Sequence, residues 1–531
     1  MQDIALIIIL LAVVTALAEV TDKIMIPYPI LLVMAGIGIG LFPGLPSITL
    51  DPEIIFLVFL PPVLYAAAWE TSWPDFKKAK RPITLLAIGC VIFTTCAVAW
   101  VAHTFIPQLG WPEAFVLGAI ISPPDAVAAT SATKGLNLPK RIITILEGES
   151  LVNDATGLIA YRYAVVAVGS GTFSIMAAGV NFLWVAIVGI LIGFVVGFSF
   201  KWIHKITPDN PTNDTTLTLL APYVAYLSAE AIHVSGVLAV VVAGLYLSWN
   251  SSTIFSKQTR LQAVSAWNTI IFLLNGLIFI LIGLQLNDII GNIKGLPPAA
   301  LIIYGAIVSA AVIIGRIIWV YPATYVPRLL SKKIREAESR PSLRSVAIVS
   351  WSGMRGVVSL AAALALPLMI DGKAFPHRDL IIFLTFCVIF STLVLQGLTL
   401  RPLINWLGVK SDGSEHRNEM NARLKLLSGI IEHIEENYSL ALSDEVLNQV
   451  KTKYEIRIQK IRRDANRGEA GGKLDEQQIQ EFHRIQQEII EKERGDAIKL
   501  RNEGTISDEV LRKIEYELDL EETRLMLERD V

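Results

Sequence analysis

In this 531-residue chain the ionisable side chains that fall within apolar stretches are clustered rather than scattered. The segment LEGESLVNDATGL, from Leu146 to Leu158, carries two glutamates and an aspartate inside a long apolar run. At helical spacing Glu147, Ser150 and Asp154 share one face, and Glu149 and Asn153, four apart, share the neighbouring one. A carboxylate, a hydroxyl and an amide oxygen together are hard donors, suited to a Group 1 cation and poor for a soft metal. Asp154, Asn153 and Ser150 are therefore candidate ion ligands, the structural alternative being that Asp154 caps or hydrogen-bonds a neighbouring helix. Upstream, Asp125 directly follows Pro123 and Pro124 in the segment SPPDA. Two successive prolines remove backbone donors, so the helix is expected to unwind there and leave carbonyls able to face a cation.

Two arginines complete the set: Arg316, and Arg355 within WSGMRG, from Trp351 to Gly356. Arginine stays protonated when buried, so each needs a carboxylate or helix carbonyls to compensate it. Glu147 and Glu149 are the expected partners, either as structural ion pairs holding broken helices together or as part of the ion site. Other signals are weaker. GIGIG, from Gly36 to Gly40, lacks dinucleotide spacing and reads as close helix packing. The seven His form no metal spacing, no HExxH occurs, and Cys90, Cys96 and Cys387 read as small core residues. No enzyme chemistry and no cofactor is expected.

The elements that must position these groups are membrane helices. Hydrophobic residues make up 53% of the chain and charged residues 18%, with a mean hydropathy of +0.53, more than a water-soluble surface accommodates. Apolar stretches able to cross a bilayer lie at roughly 2–20, 24–42, 53–69, 82–106, 112–133, 141–168 and 176–202. Six more lie at roughly 214–232, 235–249, 265–287, 297–325, 343–369 and 379–406, giving thirteen expected spans. The first lacks the basic flank of a signal peptide and is read as a span. Residues 1–407 form the expected transmembrane domain. Residues 408–531 hold 21 of the 46 Lys and Arg and 28 of the 48 Asp and Glu, and read as a helical tail with caps at Ser443 and Ser507 and a flexible break from Arg467 to Glu476. The tail is either a solvated bundle or coiled coil, or a regulatory or assembly element. Neither part is basic enough for a nucleic-acid partner.

One alternate set of loops carries 19 Lys and Arg, and the other only Lys294, Lys373 and Arg378. That bias puts the amino terminus outside and the tail in the cytoplasm. With span 7 as a linker, spans 1–6 and 8–13 form an inverted repeat that pairs the Pro-Pro break of span 5 with the Gly-rich break of span 12.

In order and separation, ISPPDAVAAT, GESLVNDATGL and WSGMRGVVSLAAAL resemble the bacterial sodium/proton exchangers of the monovalent cation:proton antiporter superfamily, over residues 1 to about 407. The resemblance implies an all-α membrane protein with two broken crossing helices, assembled as a homodimer in the plasma (inner) membrane. It implies Na+/H+ antiport, with Na+ held at Asp154, Asp125 and Ser150 in competition with a proton, and a Glu149–Arg316 ion pair. Desolvation raises a carboxylate's pKa and a bound cation lowers it, so such a site releases its proton as the cation enters. The chain departs from its relatives after the Pro-Pro of span 3, where several carry an acidic residue; here Ala66 stands, with Glu70 one turn on. The alternatives are a K+/H+ antiporter of the same fold and a cation channel gated by the tail.

Overall fold

The computed structural model describes residues 2–24, 28–41, 52–133, 136, 138–170, 175–293, 296–338, 340–370, 372–409, 413–438, 448, 451–459, 461–462, 473–503 and 508–529. The chain divides into two compact units, Met1–Ser411 and Asp412–Val531.

The first unit is a helical bundle. Its opening helices are α1 (Gln2–Ile24), α2 (Tyr28–Gly40), α3 (Pro52–Glu70) and α4 (Lys80–Phe105). Next come the half-helices α5 (Trp111–Ile121) and α6 (Ala126–Thr133), then α7 (Lys140–Ser170) and α8 (Ile175–Ile206). They are followed by α9 (Pro211–Glu230), α10 (Gly236–Ile254), α11 (Lys257–Asn292) and α12 (Pro298–Leu330). The half-helices α13 (Leu343–Trp351) and α14 (Val357–Leu364) and the final α15 (Arg378–Leu407) close the unit. A two-residue hairpin, β1 (Met369–Ile370) with β2 (Lys373–Ala374), pairs Met369 with Ala374. Among the described residues six helices are long and apolar enough to cross a membrane. One of them, α8, exposes Leu183, Trp184, Ile187, Leu191, Val195 and Trp202, a face that only lipid or another apolar surface can cover.

Local chemistry explains most boundaries. Asn210, Ser235, Ser256 and Ser342 accept backbone N–H bonds at the starts of α9, α10, α11 and α13. The glycine run in α2 is a packing surface: β-carbons on Gly36 and Gly40 would meet the carbonyls of Ile280 and Leu284 on α11. A π-helical segment, Thr392–Gln396, sits within α15 and another, Leu85–Cys90, within α4. Such bulges recur at functional positions, and the one in α15 faces a helix break described below.

The second unit contains α16 (Ser414–Tyr438), α17 (Lys473–Asn502) and α18 (Asp508–Arg529). Arg494 of α17 bonds Asp519 and Glu522 of α18 at 2.7 and 2.8 Å. The caps expected at Ser443 and Ser507 lie outside the described residues. So do residues 467–472 of the expected break, while 473–476 are already helical.

At the end of the bundle rich in basic loops, Glu338 gathers three arginines. Arg81 binds it through two bonds of 3.0 and 2.8 Å, Arg141 lies at 3.2 Å, and Arg328 donates to the Glu338 carbonyl at 2.8 Å. This joins the starts of α4 and α7 to the end of α12. Partial burial works to raise the Glu338 carboxyl, but the hydrogen bonds and charge of Arg81, with Arg141 and Arg328, outweigh it and hold the group below its ordinary range. A carboxyl lowered on folding stabilises above its unfolded pKa, and that contribution is lost as pH falls through the folded value. The unfolding temperature in detergent is therefore expected to fall on acidification below the ordinary Glu range. Glu338→Gln is expected to unfold earlier at neutral pH and to lose part of this acid dependence; an unchanged pH dependence in the variant would remove Glu338 as its source.

Candidate ion site

Four helix ends meet inside the bundle. Between α5 and α6 the chain is non-helical over Ser122–Asp125, where Pro123 and Pro124 interrupt the donor ladder; between α13 and α14 it is non-helical over Ser352–Gly356. The breaks are joined directly, since Asp125 N–H donates to the Met354 carbonyl at 2.7 Å. Close approach requires glycine on both sides: a β-carbon on Gly356 would overlap the Asp125 carboxylate, and one on Gly157 of α7 would overlap Pro123.

Each helix end has its own compensation. Asp125 Oδ2 accepts from Val357 N–H at the start of α14 at 3.4 Å, which sets a carboxylate at the positive end of that helix. Ala126 N–H, at the start of α6, donates to Ser150 Oγ of α7 at 3.2 Å. At the end of α5, the fully buried Arg355 donates from Nε to Ile121 O at 2.9 Å and from Nη2 to Ser122 O at 3.2 Å, and also bonds Gly353 O. The Arg355 backbone N–H is received by Thr392 Oγ1 of the π segment at 3.1 Å. At the end of α13, the equally buried Arg316 donates to both Glu149 oxygens, at 2.5 and 2.8 Å, and to Val349 O at 3.1 Å.

This geometry corrects two expectations. Among the described residues Arg355 takes no glutamate partner; the terminal carbonyls of α5, left without helical donors because Asp125 N–H goes to Met354 O and Ala126 N–H to Ser150 Oγ, supply the negative end of a helix dipole instead. Ile121 O and Ser122 O thereby accept from a guanidinium, and Pro124 O accepts from Asn153 Nδ2 at 2.9 Å. Glu147, also expected against an arginine, lines a vestibule together with Glu70. The Glu149–Arg316 pair is present. Arg162, beyond Asp154 on α7, pairs with Glu230 at 2.5 Å.

Asp154, Asp125 and Ser150 come together in a cavity of about 30 Å³ beside the breaks, with Asn275 of α11 and Ser359 of α14 in the same lining. Such a volume admits one or two water-sized species and excludes a fully hydrated cation. Asp154 is 6% exposed, and no side-chain hydrogen bond or ion pair to it is found among the described residues. A vestibule of about 360 Å³ adjoins the cavity; Val63, Ala67 and Ser150 line both. Ala66 and Glu70 line the vestibule and not the cavity. Among the described residues no group of three or more His, Cys, Asp and Glu is placed to hold a metal ion. Sequence reasoning passed over Asn275, Ser359 and Thr392. A lone amide in the apolar run IIFLLNGLIFILIG was a signal for Asn275; Thr392 gave none.

The chain is similar to known exchangers over most of its length. A family model described as sodium/hydrogen exchanger, transmembrane, matches residues 8–406. An uncharacterized Na(+)/H(+) exchanger of Mycobacterium tuberculosis is 32% identical over 509 residues, covering 94% of this chain and 92% of that protein. A sodium, potassium, lithium and rubidium/H(+) antiporter of Bacillus pumilus is 34% identical over 488 residues, covering 89% and 72%. The solved structure of the sodium proton antiporter MjNhaP1 from Methanocaldococcus jannaschii covers 77% of this chain and 99% of that one, with a TM-score of 0.60 at 19% identity, a likeness of fold.

Removing one partner of a buried pair strands the other charge, at roughly 3–5 kcal/mol. Glu149→Gln and Arg316→Ala are each expected to lower the unfolding temperature in detergent, and the double variant to recover part of the loss. Unchanged thermal stability in both single variants would assign the pair to transport instead.

Proposed function

The chain belongs to the sodium/hydrogen exchanger family, and from that premise we propose that it exchanges Na+ for H+ across the plasma membrane by alternating access, with Asp154 occupied in turn by a proton or a dehydrated cation. The observation that carries this reading is the small cavity holding Asp154, Asp125 and Ser150 beside the joined breaks. A carboxylate in so small a space holds one positive charge at a time. Competition for it couples the two ions, and the gradient of one drives the other with no covalent chemistry.

The vestibule supports a cytoplasm-facing form. It contains Arg260, and it adjoins the early part of α7, which starts at Lys140; both residues belong to the basic loop set. Glu70 and Glu147 there give an entering cation a negative approach. The thirteen-span count, external amino terminus, cytoplasmic tail and homodimer belong to the same proposal and rest on loop charge and family resemblance. K+ is the second reading for the cation. It is supported by the Bacillus pumilus relative, whose name includes potassium beside sodium. A tail-gated channel is disfavoured because the polar groups converge on one cavity and do not line a continuous path.

Asp154→Asn is expected to abolish cation-dependent proton flux in vesicles, followed by internal pH on addition of Na+, Li+ or K+, while the protein still folds. A variant keeping half or more of wild-type exchange would overturn the assignment. Every proposed ligand precedes residue 360, so a stop codon near Ser414 is expected to leave exchange in place with a shifted pH profile or altered maximal rate. Loss of all transport in a correctly inserted truncation would make the tail part of the transport machinery.

A further inference from the structure

The cavity between the breaks contains more oxygen than the sequence motifs supply. Asn275 and Ser359 line it with Asp125, Ser150 and Asp154, and each is 2% exposed. Asn275 Oδ1 and Ser359 Oγ are buried with no hydrogen-bond partner among the described residues. Buried polar atoms are nearly always satisfied, and an orphaned one is destabilising unless something admitted to its cavity answers it. Here two such atoms border one space that also holds two carboxylates.

Asn275 is also held in place. Its side chain lies beside that of Tyr28 of α2. Its helix packs tightly on α2 through Gly283, where a β-carbon would strike the Val33 carbonyl, and on α1 through Gly276, where one would strike Val14. Rigid seating of this kind keeps a ligand oxygen at a fixed position and lowers the cost of ordering it on binding.

We infer that Asn275 Oδ1 and Ser359 Oγ are ligands of the transported cation, completing from α11 and α14 the oxygen shell begun by Asp154, Asp125 and Ser150. This rests on the reading of Asp154 as the exchange site. A cation entering a space of about 30 Å³ gives up most of its water, and protein oxygens must replace it. An amide oxygen and a hydroxyl are hard donors that suit a Group 1 cation. Neither takes up a proton near neutral pH. They therefore strengthen cation binding without adding a second proton site, and they leave the one-charge competition at Asp154 intact.

The test uses the full-length protein in proteoliposomes, with Asn275→Ala and Ser359→Ala measured beside wild type and Asp154→Asn. Each new variant is expected to raise the apparent KM for Na+ about tenfold or more, the fold-change for one lost contact to a charge, with the maximal rate at saturating Na+ little changed. In detergent without Na+, Ser359→Ala should unfold no earlier than wild type, because only an orphaned oxygen has been removed, and both variants should lose much of the stabilisation that added Na+ gives wild type. An unchanged KM in both variants, or a lower unfolding temperature without Na+ and no change in KM, would overturn the inference and leave the two oxygens a water-binding or structural role. Ser359→Ala, a one-oxygen change, carries the test alone if Asn275→Ala fails to assemble. Wild type without exchange, or Asp154→Asn exchanging like wild type, would instead defeat the underlying reading of the site.

Discussion

The constraint on which this structure depends is the cost of ending a helix where no water can reach it. Each terminus leaves about four backbone groups without intrahelical partners, and in a low-dielectric interior these must be answered from the protein. The bundle answers them at one place by bringing two interrupted helices together. Arg355 covers the carbonyl end of α5, Arg316 with Glu149 covers that of α13, Asp125 meets the amide end of α14, and Ser150 meets that of α6. The breaks support one another, and the Asp125 to Met354 backbone bond fixes their register.

The site follows from how that charge is arranged. The two fully buried arginines, Arg316 and Arg355, are compensated where they sit, and neither lines the cavity. Asp154 therefore faces a small space in which its charge can be balanced by a proton or a cation. A lysine or arginine in that lining would have supplied a permanent counter-charge and removed the need for either. The glycines at 157 and 356 matter because the unwound segments must approach closely enough for backbone atoms themselves to make the joint.

Much of this was legible in the sequence because membrane burial makes polar residues informative. Asp154, Asp125, Ser150, Glu149 and Arg316 stand out as ionisable or hydroxyl groups in apolar runs, the pairing of Glu149 with Arg316 being what the family resemblance implied, and Pro123-Pro124 and the WSGMRG segment mark the breaks through their lack of donors or side chains. Arg355 was expected against a glutamate, with helix carbonyls as the other recognised compensation, because sequence does not show which carbonyls a broken helix turns toward it. Asn275 was passed over because it lies in span 10, far along the chain from the motifs, and only packing of α11 brings it to the cavity. The π segment at Thr392 had no sequence mark, since it depends on which groups α15 meets.

The central claim is that a proton and a cation compete for one buried carboxylate. The most direct measurement is Na+ binding to the purified, detergent-solubilised protein by titration calorimetry across a pH series, in two buffers of different ionisation enthalpy so that released protons are counted. Competition requires one proton released per Na+ bound at low pH, and an apparent affinity that rises about tenfold per pH unit until the site is deprotonated. An affinity independent of pH, with no proton released, would contradict the account.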